Sequence, residues 1–164
     1  MEEKVLSLLN EQIWLENRAS YYYLNLSILC DSKGFKGMSK FFREQSNEER
    51  RHMLTICDYI LECDETPIIP SNTFLDLDEL SFDNILKIFE DSLFNEKEIT
   101  NSFYNILNVC NGLNDYRTEN FIHSFIIEQR EEESKFKSLV DELKIIGSNT
   151  TSGLGLYVFD KNIS

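Results

Sequence analysis

Chain breakers are scarce in this sequence: two prolines and six glycines among 164 residues. That scarcity argues against a turn-rich β fold and favours long uninterrupted helices. Long hydrophobic runs are missing too, and none approaches the length needed to span a membrane. The opening stretch, MEEKVLSLLN, is acidic at once and has no hydrophobic signal region. The expected location is therefore the cytoplasm, with no membrane as partner. The four cysteines, Cys30, Cys57, Cys63 and Cys110, form no CxxC pair and no zinc-finger spacing. Three of them fall inside apolar helical patterns, which predicts buried reduced thiols. Basic residues are outnumbered, 16 Lys and Arg against 29 Asp and Glu, for a net charge of −13. Phosphate backbones repel such a chain, so nucleic acid is not the expected partner.

What is present is enough apolar surface for one packed core: 41% hydrophobic and 12% aromatic residues in a length that suits one domain, residues 1–164. Helical periodicity appears over about 3–31, 35–63, 82–111 and 115–146. Ser81 is a candidate N-cap for the third helix and Gly112 its candidate stop. Gly147 ends the fourth. GLYVFDKNI, within about 154–163, suits a short fifth helix. The turns after the first and third helices are short, so those pairs form antiparallel hairpins. The stretch DETPIIPSNTFLDLDEL holds both prolines and reads as a long irregular crossover. The predicted fold class is all-α. Two antiparallel hairpins joined by a long crossover make the ferritin-like four-helix bundle, here with a short fifth C-terminal helix.

Each helix in a bundle turns a stripe at three- and four-residue steps toward its neighbours. The first reads Leu6, Leu9, Ile13, Glu16, Ser20, Tyr23. The second reads Met38, Phe42, Gln45, Glu49, His52, Ile56, Tyr59, Cys63. The third reads Phe82, Leu86, Phe89, Leu93, Glu96, Thr100, Phe103, Leu107, Cys110. The fourth reads Phe121, Phe125, Glu128, Glu132, Phe136, Leu139, Leu143, Ile146. Every stripe is apolar at its ends and acidic near its middle. Counted from the two hairpin turns, the acids lie at matching depth, roughly 24 Å along each helix at about 1.5 Å per residue.

Buried carboxylates left charged and unpaired cost several kcal/mol each. They can take up protons, pair with a buried cationic side chain, or bind metal cations. No lysine or arginine falls on the four stripes, and four acids at one depth favour metal. Oxygen ligands with one imidazole suit iron or manganese better than a thiolate-seeking ion. Glu49 and His52 form ExxH, half of the di-iron bundle signature, with Glu16 and Glu96 as the lone acids. On the fourth helix the matching spacing holds Gln129 and Glu132 instead of Glu and His. A neutral amide is a poor ligand, so the second metal position should be the weaker one.

The segments LNEQIWLE, EERRHM, the NEKEIT region and EQREEESKFKSLVDELKIIG, with the GLYVFDK tail, resemble the bacterial non-haem ferritins over essentially the whole chain. The resemblance implies a first iron site of Glu16, Glu49 and His52, with Glu49 bridging. It implies a second of Glu96 and Glu132 with Gln129 beside it. It also implies a third of Glu48, Glu128 and Glu131, to which Glu132 can contribute. Tyr23 matches the tyrosine beside the di-iron centre, where it would donate a hydrogen bond or an electron. The function implied by this likeness is iron storage and detoxification by a ferroxidase. Dioxygen or peroxide would oxidise Fe(II), and ferric mineral would collect inside a homo-oligomeric cage of 24 subunits.

Bacterioferritin is the nearest alternative. It typically carries a histidine on the fourth helix and a haem-ligating methionine after the second helix's glutamate. Those positions hold Glu132 and Arg50, so no haem is expected. A non-catalytic cage subunit, another di-iron carboxylate protein, and a plain acidic bundle with protonated core acids are further alternatives. His123, Trp14, Tyr21 and Tyr22 lie off the stripes and read as flank or contact residues. Arg50, Arg51, Glu98 and Glu133 read as solvated.

Overall fold

The computed structural model describes residues 1–69, 84–147 and 153–163. Among these the chain is all-helical: α1 Glu3–Ser32, α2 Lys36–Glu62, α3 Ile85–Leu113, α4 Tyr116–Ile146 and α5 Leu154–Asn162. α1 packs along α2, α3 along α4 and α1 against α3, while α5 lies on α2 and α4.

The helix ends follow local chemistry. Asp115 caps α4 by accepting from the Thr118 amide, and Gly147 ends it in the left-handed region at φ 74°. The third helix differs from expectation at both ends. Asn84 is its N-cap, accepting from the Lys87 amide, while Ser81 and Phe82 lie outside the described residues. Gly112 does not stop it. Asn114 does, at φ 57°, because its short polar side chain tolerates the left-handed conformation. The next residue, Asp115, already caps α4, so the hairpin turn is two residues long.

Phe89 near the start of α3 packs on Phe41 and Phe42 near the start of α2, with ring centroids 6.1 and 5.1 Å apart. Tyr59 near the end of α2 meets Thr118 and Phe121 at the start of α4. α3 therefore begins at the end of the bundle where α2 begins. The connection from α2 to α3 joins opposite ends, and the two hairpins run up–down and down–up. Of the crossover read from sequence, the part from residue 70 on lies outside the described residues.

The second helix's inward stripe is buried as read, with only Cys63 partly exposed. The others shift by a position in places. Leu6, Ser20, Leu86, Leu93, Leu107, Phe121, Leu139 and Ile146 are half-buried, and Val5, Gln12, Ile88, Ile99, Ile122 and Val140 are buried alongside. A bundle helix covers a stripe wider than one line of residues, and 3.6 residues per turn drifts off any fixed seven-residue repeat. Cys30, Cys57 and Cys110 are buried free thiols. No helix of the described residues is long and apolar enough to cross a membrane.

Two aromatic clusters occupy the core above and below its middle. One gathers Tyr23, Phe42, Phe89, Phe136 and Phe159. The other gathers Tyr59, Phe103, Phe121 and Phe125. α5 locks onto the first cluster through Phe159 and through Asp160. The Asp160 carboxylate is buried and accepts from the Met38 amide at 2.9 Å. It thereby caps α2, whose N-cap residue Phe35 has an apolar side chain that cannot cap. The approach requires glycine at 37, since a Cβ there would sit 1.6 Å from the Asp160 carbonyl oxygen.

Gly37→Ala should therefore lift α5 off the bundle and uncap α2, at a cost of about 1–2 kcal/mol for the lost cap. Limited proteolysis should cut residues 153–163 faster, whereas Gly112→Ala, with open space around it, should not change the rate. Equal rates in the two variants would refute this account of the docking.

Candidate metal centre

Between the aromatic clusters the core turns polar. Glu16 from α1 and Glu49 and His52 from α2 are all buried, and one ligand atom from each lies within 4.8 Å of the others. Among the described residues this is the one group of three such ligands that converges this closely. His52 Nδ1 stands 3.3 Å from Glu49 Oε2 and 3.7 Å from Glu16 Oε2. Its other nitrogen, Nε2, is 2.8 Å from Glu128 Oε2. A carboxylate on the far ring nitrogen fixes the ring's orientation and leaves Nδ1 as the nitrogen offered to a metal. The ring edge rests on Phe125 at 5.5 Å.

Glu96 from α3 and Glu132 from α4 are buried beside this group. Glu96 takes a short hydrogen bond from the Tyr23 hydroxyl on one oxygen and one from Gln129 Nε2 at 3.0 Å on the other. Glu132 accepts from Lys135 Nζ at 2.6 Å. The stripes read from sequence hold no cation, yet one reaches the centre. Lys135 is rooted off the stripe, and its long flexible stem carries the ammonium back to Glu132.

Two other features were missed. Gln12 is buried one turn before Glu16 and donates to it at 2.6 Å. The i−4 spacing was the available signal. Glu133 is not a solvated acid: it is half-buried and accepts from Thr100 at 2.6 Å.

The third set of acids is spread out. Glu48 bonds Gln45 and Arg51, Glu131 is exposed, and Glu128 is half-exposed on His52 rather than on the inward stripe. Gln129 takes the buried place on α4. His123 is exposed, 3.7 Å from Glu119. Trp14, Tyr21, Arg50 and Arg51 are also exposed, and Tyr22 packs edge-on against Tyr23 at 5.4 Å.

The electrostatics describe a centre short of positive charge. Burial pushes the Glu49 carboxyl well above the ordinary carboxylate range, and the Glu96 charge adds to it. Burial likewise lifts Glu96 to about 7, against the pull of the Tyr23 and Gln129 hydrogen bonds. Burial alone would depress His52, but the facing Glu16 and Glu49 carboxylates outweigh it and raise the imidazole to about 11. The Tyr23 hydroxyl is driven far up by burial and by Glu96. Glu16 Oε2 and Glu132 Oε2 are buried with no hydrogen-bond partner. Buried carboxylate oxygens without partners, beside an imidazole, fit a divalent cation.

A family profile described as a ferritin-like domain matches residues 6–146, and the chain belongs to that family. Its similarity to bacterial non-heme ferritins runs over the full length. It is 34% identical over 164 residues to that of Staphylococcus epidermidis strain RP62A, covering all of this chain and 95% of that one. It is 31% identical over 163 residues to that of Staphylococcus aureus strain USA300, covering 99% and 95%. Among solved structures, an engineered closed form of the Archaeoglobus fulgidus ferritin superposes with a TM-score of 0.91 at 28% identity, covering 100% and 96%. The open-pore ferritin of the same archaeon superposes at 0.92 and 28%, covering 100% and 98%.

The raised Glu96 has a consequence for stability. Its folded value, about 7, lies above the ordinary 4.5. Its favourable contribution is therefore whole below pH 4.5 and is lost as pH climbs through 7, a change of as much as about 3 kcal/mol. In chelator-treated, metal-free protein, the melting temperature should fall less between pH 5 and pH 8 for Glu96→Gln than for the wild type. Equal falls would rule out this origin.

Proposed function

We propose that this chain stores and detoxifies iron, oxidising Fe(II) at a two-iron centre inside each subunit and releasing Fe(III) to a mineral core. The convergence of Glu16, Glu49 and His52 at mid-bundle, with Glu96 and Glu132 alongside, carries this reading. Iron is the substrate. Two Fe(II) ions give up one electron each, and dioxygen with two protons leaves as hydrogen peroxide, or peroxide itself serves as the oxidant. Glu16 and His52 hold the first iron, Glu49 lies between the two, and Glu96 and Glu132 hold the second with Gln129 beside them. Carboxylates favour the harder Fe(III) over Fe(II), and holding two irons together permits a two-electron step.

Supporting residues have distinct tasks. Tyr23 donates to Glu96 and keeps its carboxylate aimed. Glu128 orients His52 through Nε2. Glu48, Glu128 and Glu131, separate without metal, would draw together on an ion to form the third position, through which iron leaves the pair. Glu132 and Arg50, in place of a histidine and a methionine, favour this reading over a haem-bearing relative.

The subunits assemble into a cytoplasmic cage of 24. Support comes from the ferritin likeness and from the outer faces of the first hairpin. Trp14, Tyr21 and Ile28 are exposed on α1 at seven-residue spacing, as are Leu54 and Leu61 on α2. Stripes of this kind on a charged surface mark association faces.

Stopped-flow oxidation of Fe(II) should slow at least about tenfold in Glu49→Ala and in Glu96→Ala, since even supporting residues around a metal cost 10–100-fold. Unchanged rates would remove the ferroxidase assignment and leave a cage subunit that stores without oxidising. Sedimentation of the wild type as a monomer or dimer would remove the cage.

A further inference from the structure

Lys135 stands out among the lysines of α4. Lys137 pairs with Asp141 at 2.6 Å, but both are exposed, and solvated one-turn pairs of this kind contribute little. Lys135 reaches inward instead. Its ammonium sits 2.6 Å from Glu132 Oε1, its own side chain is 35% exposed, and Glu132 is buried with its other oxygen unpartnered. Among the described residues no lysine or arginine bonds Glu16 or Glu49, and Glu96 is held by the neutral Tyr23 and Gln129. The two halves of the centre therefore differ in kind: in one the cationic side chain is His52, itself a prospective ligand, and in the other it is an ammonium that cannot ligate a metal while it carries its charge.

We propose that Lys135 is a tethered counter-cation that reserves Glu132, so that a divalent ion fills the second position only by displacing the ammonium. This rests on the metal-centre reading above. The lysine is well suited to leave. Its side chain is already about one-third exposed, so a change of rotamer moves the charge from Glu132 to solvent without burying it elsewhere. The ion that replaces it still feels a positive charge nearby, which weakens its hold. When the ion departs, the ammonium returns and Glu132 is not left as an uncompensated buried charge. Filling is thus ordered, first position before second, and the second position is kept labile by a positioning residue that is not itself a ligand.

Zn(II), which is redox-inert, tests this by isothermal titration of the assembled full-length protein. The wild type should show one tight and one weaker event per subunit, with Glu49→Ala abolishing the tight one. Lys135→Gln should tighten the weaker event about tenfold, the equivalent of one charge-assisted hydrogen bond no longer broken. Lys135→Arg should stay near the wild type. Lys137→Gln, the same charge change on the same helix, should leave both events alone. No change in Lys135→Gln, or equal tightening in Lys137→Gln, overturns the proposal while leaving the metal centre intact. Absence of the tight event in the wild type overturns the metal centre itself. A Zn(II)-soaked crystal of the wild type gives an independent check: Lys135 Nζ should have left hydrogen-bond range of Glu132. A second metal bound with that contact still in place also overturns it.

Discussion

Everything in this molecule is arranged around the cost of holding carboxylates in a helical core. Glu16, Glu49, Glu96 and Glu132 come from four different helices and meet where water is largely excluded. Each charge taken from water there costs several kcal/mol unless something answers it. The answers are visible residue by residue: a raised imidazole between Glu16 and Glu49, a tyrosine and an amide on Glu96, an ammonium on Glu132, and Gln12 on Glu16. The aromatic clusters above and below supply the apolar burial that lets the bundle tolerate such a layer.

These answers are not of one kind, and the difference separates the two halves. Around Glu16 and Glu49 the charge is answered by His52, itself a prospective metal ligand, and Glu16 keeps one oxygen without a hydrogen bond. Around Glu96 and Glu132 the protein's own donors already occupy part of the acceptor capacity. A permanent cofactor site gains nothing from such imbalance. A site that must load, react and empty does, because one ion needs a firm hold and the other an easy exit.

The same cost explains why the ends of the bundle are so closely tied. A polar layer at mid-height weakens the core, so the termini must hold. α5 supplies Phe159 to the upper aromatic cluster and lends Asp160 to α2, a cap from 122 residues away. Gly37 permits the contact by having no side chain. The wholly buried packing of Phe42, Phe89 and Phe136 beneath it holds the upper end together.

Periodicity alone determined the helices, the hairpins and the depth at which the acids lie, because a helix sets its faces by spacing along the chain. ExxH and the lone glutamates were legible for the same reason: Glu49 and His52 share a face whatever surrounds them. Only the tertiary structure decided which of two adjacent residues turns fully inward, so that Gln129 replaced Glu128 on α4 and Glu128 moved to His52 Nε2. Only it could reveal that Lys135, rooted off the stripe, returns its charge to Glu132, and that Asp160 serves α2. Long side chains and distant caps act across space, and spacing along one helix carries no record of where another helix stands.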